Sequence, residues 1–218
     1  MTKTSTDAIV AAARELFRTR GYAGASMKDL AERVGLQKGS LYNHVAGKED
    51  LIPQVLDLTL AELFPEPADG VDWRAAYRDA VTRLAAHLIE HRRCVALHLA
   101  YGVDETSPVA AEAVRRFFAA CRDRLAAILA HGADPAAAQT LATDTLSLLE
   151  GATLWLAVDG GADAMRRAVA TLCARADALV DGTRTLDDLA GRLADTEARI
   201  ATLEAALRGE IEAESCFR

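Results

Sequence analysis

Residues 26–48 read SMKDLAERVGLQKGSLYNHVAGK, and their pattern decides the fold. Ser26 followed by Asp29 makes a capping-box start. Met27, Leu30, Ala31 and Val34 then fall at i, i+3, i+4 and i+7, one apolar face of a short helix. Gly35 ends it, and a second short helix follows with Leu41 and Val45 on its inner side. Two short helices joined at Val34-Gly35-Leu36-Gln37 have the dimensions of a helix-turn-helix. With Leu41 and Val45 held inside, the opposite side presents Gln37, Lys38, Ser40, Asn43 and His44. Gln and Asn can bond bidentately to adenine, and Lys reaches guanine or phosphate. Ser26 combines a hydroxyl with free backbone N–H groups at a helix start, a natural phosphate clamp. Lys48 opens the following helix on the far side. Each residue alone has an ordinary reading as a cap or a solvated charge; their shared spacing points to a DNA-reading face.

Working outward, almost every segment carries helical periodicity. Ile9, Ala12, Ala13, Leu16 and Phe17 follow a 3.6-residue period behind caps at Thr6 and Asp7, with Gly21 as a stop. Residues 48–63 predict a fourth helix, broken by Pro65-Glu66-Pro67-Ala68-Asp69-Gly70. Residues 72–101 and 107–131 read as two long helices, the first with a break near His91–Arg93, and Pro135–Val158 and residues 163–181 as two more. No alternating strand pattern occurs, so the expected fold is all-α. The expected domains are a head at 1–50 with a connecting helix at 48–64, a ligand-binding and dimerising helical body at 65–183, and a C-terminal helix at 184–218.

That last segment changes period. Leu186, Leu189, Leu193, Thr196, Ile200, Leu203 and Leu207 step alternately by three and four, the heptad signature. Arg192 and Arg199 each stand five residues before Glu197 and Glu204, the offset that joins g to e′ in a parallel pair. A parallel intersubunit coiled coil and an amphipathic helix folded back on its own domain both fit this pattern.

Composition narrows the function. The 218 residues carry a net charge of −7, but residues 1–50 hold +2 and the remainder −9, and every lysine lies in the first segment. Any anionic partner is therefore expected at the N-terminus. Cys94, Cys121, Cys173 and Cys216 are widely spaced, without zinc spacing, and read as free thiols of a reducing compartment. No apolar run approaches a membrane span, and the N-terminal residues do not resemble a signal peptide, so a cytoplasmic location and no membrane partner are expected. With no nucleophile–base constellation, glycine-rich phosphate loop or useful carboxylate pair, an enzyme is not expected.

Residues 9–52 resemble the N-terminal domain of the TetR family of transcriptional regulators. The matching stretches are Ala12-Ala13-Arg14-Glu15-Leu16-Phe17, Gly21-Tyr22, Ser26-Met27-Lys28-Asp29-Leu30-Ala31 and Gly35 to Val45, then Lys48 and Leu51. Val45 stands where many relatives carry Phe. The resemblance implies a three-helix reading head, a connecting fourth helix, a ligand-binding and dimerising body, and no enzymatic activity. Carried over by position, it implies base-side contacts from Gln37, Lys38, Ser40 and Asn43. It implies phosphate contacts or supports from Ser26, Lys28, Tyr42, His44 and Lys48. Double-stranded operator DNA, a small-molecule effector and a second copy of the chain are the expected partners, with no cofactor. The competing expectation is a coiled-coil adaptor whose helix-turn-helix does not bind DNA.

For the effector, Trp73, Tyr77, Phe117, Phe118, Leu148, Leu149, Leu154 and Trp155 can line or fill the body. His87, His91, Cys94 and His98 share one face if their helix is continuous, and read first as bundle-facing polar groups rather than a metal site. The resemblance to the tetracycline-repressor branch implies that His98 matches a drug-holding histidine. Phe64 stands where that branch carries another, which favours an apolar or aromatic ligand. The ligand residues expected are Phe64, His98, Phe117, Phe118, Leu148 and Trp155, with no bound metal.

Overall fold

A computed structural model describes the backbone of residues 5–65, 70–102 and 107–215; side chains at 180–188 and 202–215 lie outside that description. Among the described residues every regular element is helical. Helix α1 (Thr6–Gly24) starts at Ser5, whose hydroxyl accepts from the Ala8 N–H, one residue earlier than the caps expected from sequence. Gly21 does not stop it but kinks it, at φ +71°. The reading pair is α2 (Met27–Arg33) and α3 (Lys38–Leu41), followed by α4 (Leu51–Leu63). The body contains α5 (Trp73–His91), α6 (Val95–Gly102), α7 (Pro108–Leu129), α8 (Pro135–Val158) and α9 (Asp163–Ser215). The expected boundary at Pro65 to Gly70 falls largely on residues 66–69, outside the described ones.

Two compact units result, Met1–Ala176 and Asp177–Arg218. In the first, α1 packs on α4 and α6, and α7 packs on α4, α5, α6 and α8. The core is built of Leu99, Leu125, Leu129 and Leu149, all essentially inaccessible to water. Burying each contributes roughly 1.5–3 kcal/mol relative to exposure. One polar bond crosses this core: Tyr77 Oη lies 2.7 Å from Thr145 Oγ1. The Thr145 hydroxyl already donates to the Leu141 carbonyl at 2.7 Å, so Tyr77 is the donor between α5 and α8. Desolvation pushes the Tyr77 phenol up to about 12. Trp73 seats its indole against Gly132, where a Cβ would collide with the ring.

The long helix read over 72–101 divides near His91–Arg93, where the sequence pointed to a break, into α5 and α6. Arg92 closes α5 in the left-handed region at φ +57°. The row His87, His91, Cys94, His98 is therefore not one continuous helix face. His87 and His91 stay together on α5, ring centroids 4.5 Å apart, while Cys94 sits in the junction and His98 on α6.

The C-terminal end also departs from expectation, because no break separates the body helix from the heptads: α9 runs from Asp163 to Ser215. In the second unit Leu189, Leu193 and Ile200 are 49%, 61% and 50% exposed, an uncovered apolar seam in the single chain. The heptad residues Leu186, Leu203 and Leu207, and Glu204, lie outside the described side chains. So does Cys216; Cys94, Cys121 and Cys173 are free thiols.

Candidate nucleic-acid interface and effector cavity

The reading head is assembled by local rules. The Ser26 hydroxyl accepts from the Asp29 N–H at 3.1 Å while the Asp29 carboxylate accepts from the Ser26 N–H at 3.2 Å, a complete capping box. Hydrogen bonds from Ser26 and then Arg20 hold the Asp29 carboxyl below its ordinary range. At the other end the Leu36 N–H donates to the Ala31 carbonyl (2.9 Å) and the Gly35 N–H to that of Glu32 (3.2 Å). With Gly35 at φ +68°, this is a Schellman stop, and it aims the chain into α3.

Leu41 and Val45 are buried, as the pattern requires, and Val45 fills its site without the bulk of a Phe. Gln37, Lys38, Ser40, Tyr42, Asn43 and His44 are all exposed on the other side. Lys28 is exposed beside Glu32, 3.8 Å away. Two expected phosphate contacts are engaged internally. The Ser26 hydroxyl donates to Asp29 at 2.5 Å. Lys48 turns inward: Nζ donates to the carbonyls of Tyr22 (2.7 Å) and Ala25 (3.0 Å), and lies 4.1 Å from the Tyr22 ring centroid. Burial lowers its pKa. Two of three ammonium protons are thus spent closing the C-terminal end of α1.

The body holds a narrow, partly open cavity of about 30 Å³ and, beside it, a wider cleft of about 340 Å³. Phe117 and Phe118 line the cavity, packed edge to face at 5.5 Å. His98 lines the cleft. The other expected ligand residues line neither. Phe64 caps α4, with the Arg124 guanidinium 5.6 Å from its ring centroid. Leu148 and Trp155 face outward, Trp155 50% exposed, because α8 spends its Ala138, Leu149 and Leu156 side on the core.

Glu150 was not among the expected site residues, yet it stands with Cys94 in both the cavity and the cleft. Its carboxyl meets the Cys94 thiol, and its Oε2 is buried without a hydrogen-bond partner. Desolvation raises the Glu150 carboxyl and pushes the Cys94 thiol well up. A lone acid in Leu148-Leu149-Glu150-Gly151-Ala152 was the available signal. His87, also in the cavity wall, is pushed down to about 4 by burial, with His91, Arg18 and Arg14 adding positive charge. It is therefore neutral. Among the described residues no group of three His, Cys, Asp or Glu is placed to hold a metal ion, and no helix is long and apolar enough to cross a membrane.

The site touches the head directly. A Cβ on Gly21 would meet His98 Nε2 at 3.1 Å, and one on Gly102 would meet Tyr22 at 3.7 Å. The α6 helix that carries His98 thus lies against the kink of α1 and the residue that binds Lys48.

Comparison with known proteins agrees with this anatomy. Residues 9–55 match the family model for bacterial regulatory proteins of the tetR family. Residues 72–171 match that for the C-terminal domain of LmrA/YxaF-like transcriptional regulators. The tetracycline repressor protein class C of Escherichia coli is 29% identical over 100 residues, 45% of this chain and 46% of that protein. The transcriptional repressor KstR2 of Rhodococcus jostii is 35% identical over 74 residues, 32% of this chain and 36% of that protein. The chain thus spans between about a third and somewhat over three fifths of the curated relatives it matches. A TetR transcriptional regulator from Legionella pneumophila shares the fold at TM-score 0.66 and 20% identity, over 79% of this chain and 97% of that one. The body match ends at residue 171, whereas α9 continues to Ser215. With a reading head and a helical body that both match its members, the chain belongs to the TetR family of transcriptional regulators.

Proposed function

We propose that the protein is a ligand-responsive transcriptional repressor that binds a palindromic operator as a homodimer and is released by a small molecule. The observation that carries this reading is the exposed row Gln37, Lys38, Ser40 and Asn43 on the side of the head opposite buried Leu41 and Val45. Gln37 and Asn43 read base edges, and Lys38 and Ser40 support them. Lys28, Tyr42 and His44 take phosphates, while Ser26 and Lys48 hold the head in shape. A positive head on an acidic body steers DNA to this face alone.

One head makes too few contacts for a unique genomic site, so two heads held one DNA turn apart, about 34–36 Å, are required. The outward face of α8 supports such pairing: Leu148, Leu154, Trp155 and Val158 are exposed around Gly151, which leaves open space for a facing helix. An effector in the cleft displaces α6. The displacement reaches Gly21 and Tyr22, and through Lys48 the start of α4, so head spacing and operator affinity change together. Such coupling is reciprocal, so operator DNA weakens effector binding by the same factor.

Selection of bound duplexes from random DNA tests the reading. An inverted repeat with half-sites about one turn apart is expected. Recovery of no sequence, with binding no tighter than to bulk DNA, favours an adaptor that has lost DNA reading.

A further inference from the structure

The Glu150 carboxyl is an unusual thing to find where it is. Among the described residues, besides His87, which is neutral, no ionisable group other than thiols lines the narrow cavity with it. Among the described residues its Oε2 has no hydrogen-bond partner. Buried polar groups are ordinarily satisfied, and an orphan in a native fold calls for a partner from outside the chain. A carboxyl in apolar surroundings without a cation is costly, so this one weakens the unliganded protein. Phe117 and Phe118 line the same cavity, and aromatic faces attract organic cations.

We propose that Glu150 reads the charge of the effector, and that the effector is an organic monocation, a protonated amine on an apolar or aromatic body. This rests on the ligand-responsive reading above. The cavity of about 30 Å³ holds no more than about two waters, so only the ammonium enters its wall at Glu150. The body of the ligand occupies the cleft of about 340 Å³, against Leu97, Tyr101, Leu154 and Ala157. Arg92 and Arg93 stand in that cleft together with His98 and Thr153. The two arginines disfavour a second positive charge, which confines the class to one ammonium close to Glu150. Burial raises the Glu150 carboxyl and an ammonium beside it opposes that shift, so affinity increases with pH over the range in which the free carboxyl still binds a proton.

The test uses the full chain without DNA and three probes that share a naphthylmethyl body: naphthylmethylamine, naphthylmethanol and naphthylacetate. Calorimetry at neutral pH should find the amine at least tenfold tighter than the alcohol and the acetate. Glu150→Gln, which keeps the shape, should remove that preference while leaving the alcohol unchanged. Glu150→Leu should abolish amine binding and raise the Tm of the unliganded protein by a few degrees. Equal binding of amine and alcohol, or a preference retained by Glu150→Gln, overturns the proposal. So does absence of amine binding at millimolar concentration. Preference for the acetate overturns it in favour of Arg92 and Arg93. Operator binding by the wild-type protein is scored separately: amine binding without DNA binding refutes the repressor reading alone, and DNA binding without amine binding refutes this inference alone.

Discussion

Arg18 Nη2 lies 3.4 Å from His87 Nε2, joining the first helix of the head to the wall of the cavity. Arg18 is 2% exposed and also pairs with Glu15. Because His87 is neutral, its Nε2 can accept from the guanidinium. A buried cation on α1 is thus held by a histidine that also faces the cavity, a direct contact between the head and the cavity wall.

Replacing that acceptor exposes its worth. His87→Leu leaves a buried guanidinium N–H unpaired and should cost roughly 1–3 kcal/mol, whereas His87→Gln keeps an acceptor and should cost less. Chemical denaturation of both variants checks the order.

The same histidine predicts a pH dependence. Its folded pKa of about 4 lies below the ordinary 6.5, through burial first and then the positive charge of His91, Arg18 and Arg14, with Glu62 opposing. The unfolded chain therefore binds the extra proton between those values. Stability is complete above 6.5 and is lost as pH falls toward 4. Burial lowers His91 and His98 in the same direction. Tm should fall across this window more steeply in wild type than in His87→Gln; parallel curves would assign the effect elsewhere.

Lys48 separates support from phosphate contact. Lys48→Ala frees the Tyr22 and Ala25 carbonyls, so Tm and operator affinity should both fall while the salt slope of binding stays unchanged. Lys28→Ala should instead reduce that slope by about 1, as one phosphate-contacting charge is lost. A slope that drops by about 1 in Lys48→Ala would return its ammonium to the DNA.

Base reading is tested by Gln37→Ala and Asn43→Ala. Each should relax preference at one symmetric pair of operator positions, costing about 1–3 kcal/mol there. If selection recovers the wild-type site for both variants, neither side chain reads bases.

The C-terminal part of α9 should reinforce a dimer without creating it. Deletion of residues 184–218 is expected to leave a DNA-binding dimer of lower Tm by sedimentation and melting. A monomer would make the tail the main interface. An unchanged Tm would leave the exposed Leu189, Leu193 and Ile200 without a role in pairing.

The amino-acid order alone determined the all-helical class, most helix bounds and the local build of the head. The bounds Pro135–Val158, the Ser26 capping box, the Gly35 stop and the inward Leu41 and Val45 are all legible because caps, stops and a 3.6-residue period act within a few residues of chain. The tertiary structure decided what those helices meet. On α8 apolar residues run nearly all the way round, so periodicity carries no direction; packing against α5 and α7 turned Leu149 inward and Leu148 and Trp155 outward, and set Glu150 in the cavity wall. Lys48 differs for the same kind of reason. Its sequence position opens the segment before α4, but the carbonyls that hold it belong to Tyr22 and Ala25, more than twenty residues away, and only the folding of α1 against the head brings them within 3.0 Å.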